Sequence, residues 1–276
     1  MNELTNERVR EMSKILQIFS SRRTWAWPYV LFMVLFVVLP LILVGYYALT
    51  DINGDFTLRN FTKFFTHSEA IQTFLYSVMI AVLNTLICLL LGYPAAYVMA
   101  KEDFRTPKVM AMLFILPMWI NFLLRTVATV ELFNICGLPL GEGALLFGLC
   151  YDYLPFMIYP IYNTLQKMDN SLVEAAQDLG ANKWTCFWKV IVPLSMPGVY
   201  SGIVMVFMPT VSTFAIAELL THNNIKLFGS LIQDYITTTD LLNYGAVLSL
   251  VLLIIIGLTS FFGNHDAKDD QKGGLV

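Results

Sequence analysis

The sequence predicts an all-α membrane protein of about six transmembrane helices, and three observations predict it. Of 276 residues, 57% are hydrophobic and 13% charged, with a mean hydropathy of +0.65. That is too little charge to cover a soluble domain of this length. The apolar residues also fall in blocks of roughly 20 or more, the length that crosses a hydrocarbon core. Finally, residues 168–193 leave a polar gap whose pattern is that of short helices rather than of a linker.

The first span runs from about Trp27 to Tyr47, behind Arg22, Arg23 and Trp25. It reads as an uncleaved anchor, being long, flanked by tryptophan and without a small-x-small cleavage site. The second covers about Ile71 to Met99 and the third about Val109 to Val130. The fourth, about Ala144 to Leu165, contains Pro155 and Pro160. The fifth runs from about Val190 to Leu220 and the sixth from about Leu241 to Phe262. Several blocks exceed a straight crossing, so tilt or kinks are expected, with Pro117, Pro197 and Pro209 as kink points. Residues 25–264 form one membrane domain, between an amino-terminal tail, 1–24, and a disordered carboxy-terminal tail, 265–276.

Charge sets the orientation. Thirteen lysines and arginines fall in the amino-terminal tail, the second and fourth connections and the carboxy-terminal tail. The other connections hold only Arg59, Lys63 and Lys226, and Arg125 lies in or near a span. The positive-inside rule then puts both termini and residues 168–193 in the cytoplasm. A net charge of -3 offers no basic field for nucleic acid. The four scattered cysteines, with no histidine at ligand spacing, read as small apolar fillers of membrane helices.

In the polar gap, Ser171-Leu172-Val173-Glu174 has the spacing of a capping box and predicts a helix start. Leu172, Ala175, Ala176 and Leu179 then share one face, and Gly180 is a natural stop. Asn182 can begin a second short helix carrying Trp184, Phe187 and Trp188 toward the bilayer surface. On physical grounds this element either covers the ends of neighbouring helices or presents a flat face for docking.

Glu174-Ala175-Ala176-Gln177-Asp178-Leu179-Gly180, with Val190-Ile191-Val192-Pro193 ten residues later, resembles the EAA loop of bacterial ABC-importer permeases, E-A-A-x3-G-x9-I-x-L-P. Valine replaces the two aliphatic residues of that pattern. Gly92-Tyr93-Pro94-Ala95-Ala96-Tyr97 is similar to the G-Y-P-x-A-Y signature of polyamine permeases. Leu124-Arg125-Thr126, Leu154-Pro155-Phe156-Met157 and Pro193-Leu194-Ser195-Met196-Pro197-Gly198-Val199 are similar too, and the likeness spans most of residues 28–262. Within the family the chain resembles the PotB-type spermidine/putrescine permeases. Two stretches depart: Arg125-Thr126-Val127-Ala128-Thr129 replaces R-T-Y-x-W, and Glu218 to Asn223 replaces a stretch that usually ends in paired glycines.

The resemblance implies a type I ABC importer permease fold in a bacterial inner membrane. It gives Glu174, Ala175, Ala176 and Gly180 the role of coupling to an ATPase, with Pro193 ending the loop. It implies as partners an ATPase subunit dimer, a second permease subunit of the PotC type and an extracytoplasmic solute-binding protein. The cargo it implies is a polyamine, moved by alternating access. No G-x-x-x-x-G-K-[ST] occurs, so ATP and magnesium are expected on the ATPase and no cofactor or metal on this chain, which is not itself an enzyme.

A polyamine route needs carboxylates and aromatic faces to replace water around ammonium groups. The candidates are Asp152, Glu131 and Glu218, with Trp119, Tyr151, Tyr153 and Phe214. Asp152 stands first, between two tyrosines and just before the Leu-Pro break, although it could instead pair with Arg125 and serve packing. The rival readings are the same importer class for thiamine, a metal chelate or an oxyanion, and a six-span membrane enzyme.

Overall fold

A computed structural model describes the backbone of residues 22–66, 68–100, 116–238 and 241–273, with side chains from residue 26 to residue 259. Among the described residues, five helices are long and apolar enough to cross a membrane: Ala26–Leu49, Ser68–Ala100, Glu142–Gln166, Lys183–Ser212 and Leu242–Thr259.

The first span is built from α1 (Arg22–Met33) and α2 (Leu39–Leu49), joined by a π-helical turn, Val34–Val38. The Leu39 N–H donates to the Val34 carbonyl across that turn. Its cause is Pro40, whose ring would clash with the carbonyl four residues back in a regular α-helix. Widening the turn moves that carbonyl aside and keeps the chain helical. A second π-turn, Phe187–Ile191, precedes Pro193 in the same way. Pro193, which the resemblance makes the end of the loop, therefore lies within a helix rather than at a helix start. The chain is helical from Lys183 through Ser212, and the proline sits inside that run.

After α3 (Arg59–Thr66), α4 (Ser68–Ala100) forms the second span. The expected third span lies partly outside the described residues. Its described part is a 3-10 turn, Leu116–Trp119, a break at Ile120 and Asn121, and the 14-residue α5 (Phe122–Ile135). Asn121 starts α5 by accepting the Leu123 N–H at 2.8 Å. Then follow α6 (Glu142–Gln166), the short α7 (Asn170–Asp178) and α8 (Lys183–Cys186), α9 (Val192–Ser212) and α10 (Ala215–Leu220). The predicted fifth span, to Leu220, is cut by Thr213 and Phe214, which hydropathy alone does not register. Last come α11 (Phe228–Thr237) and α12 (Leu242–Gly273). The tail predicted to be disordered, 265–276, is helical through Gly273, because no proline or glycine interrupts it between Gly263 and Gly273.

Helices α4, α6 and α9 pack around Cys88, Ala96, Met157, Ile161, Val199 and Val206. Small residues bring their backbones together, as in membrane helix packing generally. A Cβ at Gly198 would stand 2.8 Å from the Pro160 carbonyl oxygen, so α9 can lie this close to α6 only without one. Polar pairs tie the same helices: Asn84 donates to Thr210 Oγ1 at 3.0 Å, and the Tyr93 hydroxyl meets Ser195 Oγ at 2.8 Å. A second apolar cluster joins α2, α3, α11 and α12 through Ala48, Phe64, Phe228 and Val247. There Asn243 Nδ2 donates to the Thr50 carbonyl at 2.7 Å.

The two ends of the bundle differ. One carries α7 and α8 with Lys167, Lys183 and Lys189, and the other carries α3, α10 and α11 with Arg59, Lys63 and Lys226. At the second end, His222 and Asn223 hold φ of 50° and 61°. These left-handed residues fall where the resembling family usually has glycines, and a side chain in that region costs about 1–2 kcal/mol. His222→Gly is therefore expected to raise thermal stability in detergent by about 1 kcal/mol, with a smaller gain for Asn223→Gly because asparagine tolerates this region. Unchanged or lowered melting for both would refute the assignment of strain.

Candidate functional site

The α7–α8 loop forms as a helix pair, with one correction at its start. The residue that caps α7 is Asp169, whose Oδ1 accepts the Ser171 N–H at 2.9 Å, and not Ser171 in a box with Glu174. An aspartate caps as well as a serine and adds a negative charge at the positive end of the helix dipole. The Ser171 amide holds the Asp169 carboxyl below the usual carboxylate range.

Gly180 stops the helix at φ 86°. Its N–H donates to the Gln177 carbonyl at 2.9 Å and the Ala181 N–H to the Ala176 carbonyl at 3.0 Å. These two bonds are the Schellman motif, which requires the left-handed residue where glycine stands. Asn182 then caps α8 through the Thr185 N–H at 2.8 Å.

The predicted apolar face of α7 divides. Ala176 turns toward the bundle together with Val173, a residue outside the predicted face, which joins the α4–α6–α9 cluster. Leu172, Ala175 and Leu179 turn away with Glu174, and Leu179 is 90% exposed. Among the described residues nothing packs over this leucine. Pro193 is remote from this face, inside the helix beyond the π-turn.

The second candidate constellation lies inside the bundle. Asp152 on α6 and Arg125 on α5 are 1% and 6% exposed, and Arg125 Nη2 stands 3.1 Å from Asp152 Oδ1. This is a charge contact without hydrogen-bond alignment at Oδ1, and among the described residues Arg125 Nε and Nη1 meet no hydrogen-bond acceptor. Thr126 Oγ1 donates to Asp152 Oδ2 at 3.2 Å. The guanidinium also lies over the Tyr151 ring, 5.6 Å from its centroid. Of the two sequence readings of Asp152, the structure supplies the contact required by pairing with Arg125.

Beside the pair opens a cavity of about 550 Å³, set between the helix breaks at Ile120–Asn121 and Thr213–Phe214. Trp119, Tyr153, Phe214 and Arg125 line it, with Phe156 and Ser212. Three of the predicted aromatic residues thus share one cavity. Tyr151 is on the exposed side of Arg125, while Asp152, Glu131 and Glu218 do not line the cavity; Glu131 is exposed and Glu218 half-buried. Sequence reasoning missed Thr126 as the second partner of Asp152, and Arg125 as part of the cavity wall. Only the adjacency of Arg125 and Thr126 could have hinted at either.

Three comparisons bear on what this bundle is. Residues 89–269 match the family model described as binding-protein-dependent transport system inner membrane component. The chain is 34% identical over 249 residues to the spermidine/putrescine transport system permease protein PotB of Escherichia coli, covering 82% of this chain and 90% of that one. Identity to the protein of the same name from Haemophilus influenzae is 32% over 252 residues, covering 83% and 88%. The Escherichia coli permease protein PotC is 28% identical over 221 residues, covering 79% and 82%.

Among solved structures, a bacterial alginate ABC transporter with its periplasmic protein superposes with a TM-score of 0.72 at 13% identity, covering 95% of this chain and 98% of that one. The inward-facing MetNI methionine ABC transporter gives 0.58 at 17% identity, covering 72% and 94%. These likenesses establish the fold as that of an ABC importer permease. With the family model matching well over half of its length, the chain belongs to the inner membrane components of binding-protein-dependent transport systems.

Proposed function

We propose that this chain is one of two permease subunits of an ATP-driven importer for polyamines, spermidine and putrescine. The observation that carries the reading is the identity of 32% and 34% to permeases of that name over more than four-fifths of the chain. The end bearing α7 and α8 faces the cytoplasm, in keeping with thirteen basic residues against three in the sequence. A separate ATPase dimer binds ATP and magnesium there. Glu174, Ala175, Ala176 and Gly180 seat α7 on it, and the second permease subunit supplies the other such loop. An extracytoplasmic binding protein delivers solute at the opposite end, beside α10 and α11.

The cavity suits a cation in one specific way. Trp119, Tyr153 and Phe214 offer ring faces, each able to contribute about 0.5–2 kcal/mol to an ammonium as water is removed. The repulsion expected from Arg125 is offset by Asp152 directly behind it. Glu131 and Glu218 lie toward the delivery end and would draw the cation inward.

The test is uptake of labelled spermidine by cells lacking their own polyamine import, carrying this chain with its ATPase, second permease and binding protein. Energised uptake, competed by putrescine and not by thiamine or an oxyanion, is the expected result. Competition by an oxyanion would overturn the polyamine reading and turn attention to the unpaired donors of Arg125.

A further inference from the structure

Phe187 opens the π-turn between α8 and α9, and its ring is the centre of an aromatic knot. Tyr97 and Trp188 each meet it edge-on with centroids 5.2 Å away, Tyr93 at 5.9 Å and Trp184 at 6.2 Å. Two of these rings belong to α4 and two to the loop side. Trp184 and Trp188 are 71% and 61% exposed, whereas Phe187 is half-buried between them and the bundle. Through Tyr93 the knot reaches α9, because the Tyr93 hydroxyl bonds Ser195 Oγ at 2.8 Å. Both α7 and α8 pack against the π-turn. Val173 of α7 lies in the same apolar cluster as Phe187, Tyr93 and Tyr97.

We propose that Phe187 is the positioning residue that transmits displacement of α7–α8 to α4 and α9, which rests on the reading of α7 as the ATPase-docking helix. Two physical features support it. Edge-to-face ring pairs resist changes of mutual angle more than aliphatic contacts of equal area, so a movement of the loop turns its neighbours rather than sliding past them. The backbone at the joint is meanwhile held by the wide hydrogen bond from the Val192 N–H to the Phe187 carbonyl. A π-turn of this kind commonly marks functional bends in helices. The ring contacts and the wide turn thus meet at one residue.

The experiment uses the assembled complex in lipid nanodiscs, with Leu172→Cys on the open face of α7 as a cross-linking probe to the ATPase. Phe187→Ala is expected to assemble and to cross-link as the parent does. Stimulation of ATP hydrolysis by cargo-loaded binding protein should fall roughly tenfold, the scale of one or two ring pairs. Phe187→Tyr should restore it, and Phe187→Leu, which keeps bulk without a ring, should restore it only in part. If Phe187→Ala fails to assemble, Phe187→Leu carries the test. Full stimulation in Phe187→Leu would overturn the proposal. So would loss of the cross-link in Phe187→Ala, since the residue would then seat the docking helix rather than transmit its movement. Absence of the cross-link in the parent would remove the docking reading beneath it, a result distinct from either.

Discussion

Gly180→Trp is expected to leave the chain inserted in the membrane and to reduce energised uptake to background. Two effects combine at this position. The backbone stands at φ 86°, where any residue with a Cβ is strained by about 1–2 kcal/mol. The Schellman bonds that end α7 depend on that conformation, so the strain acts on the end of the proposed docking helix. The indole would then occupy the open face, because none of the described residues lies within 4 Å of a Cβ built there. Gly180→Ala separates the two effects. It carries the strain without the bulk and should retain most of the uptake. Wild-type uptake and substrate-stimulated ATP hydrolysis in Gly180→Trp would sink the docking role of this face.

Asp152→Leu should have the largest effect on stability. It would leave the Arg125 guanidinium buried with no carboxylate beside it, a change that costs about 3–5 kcal/mol when one partner of a buried pair is removed. Little folded protein should reach the membrane, as read by detergent melting and fluorescence-monitored gel filtration. The double variant Arg125→Met, Asp152→Leu removes both charges and should recover most of that loss, since apolar replacement of a buried pair is often neutral or stabilising. A folded, wild-type-stable Asp152→Leu would show that the pair contributes nothing to stability. Uptake by the double variant then reports whether the charges serve transport.

The sequence revealed most of the scaffold because membrane spans are a matter of length and apolarity, and those are local properties. It revealed the loop because capping and stopping residues act within a single turn of helix. What it missed required distance. The break at Thr213 and Phe214 sits inside an apolar run and leaves no trace in hydropathy. The cap by Asp169 was obscured by a serine with the right spacing to Glu174. Asp152 drew attention as an acid in a span, yet whether it faces a cavity or an arginine depends on how α5 lies against α6. The joint at Phe187 gathers rings from two segments nearly a hundred positions apart, and no reading of either segment alone brings them together.

The π-turn before Pro193 has a consequence for angular phase. Phe187 and Ser195 are eight residues apart, so in an uninterrupted α-helix they would point about 80° away from each other. The extra residue held in the wide turn takes up about 100° of that winding and brings the two within about 20° of one azimuth. That is why one tyrosine, Tyr93, can meet the ring of Phe187 and the hydroxyl of Ser195 at the same time. A proline that elsewhere would bend the helix here sets its rotation.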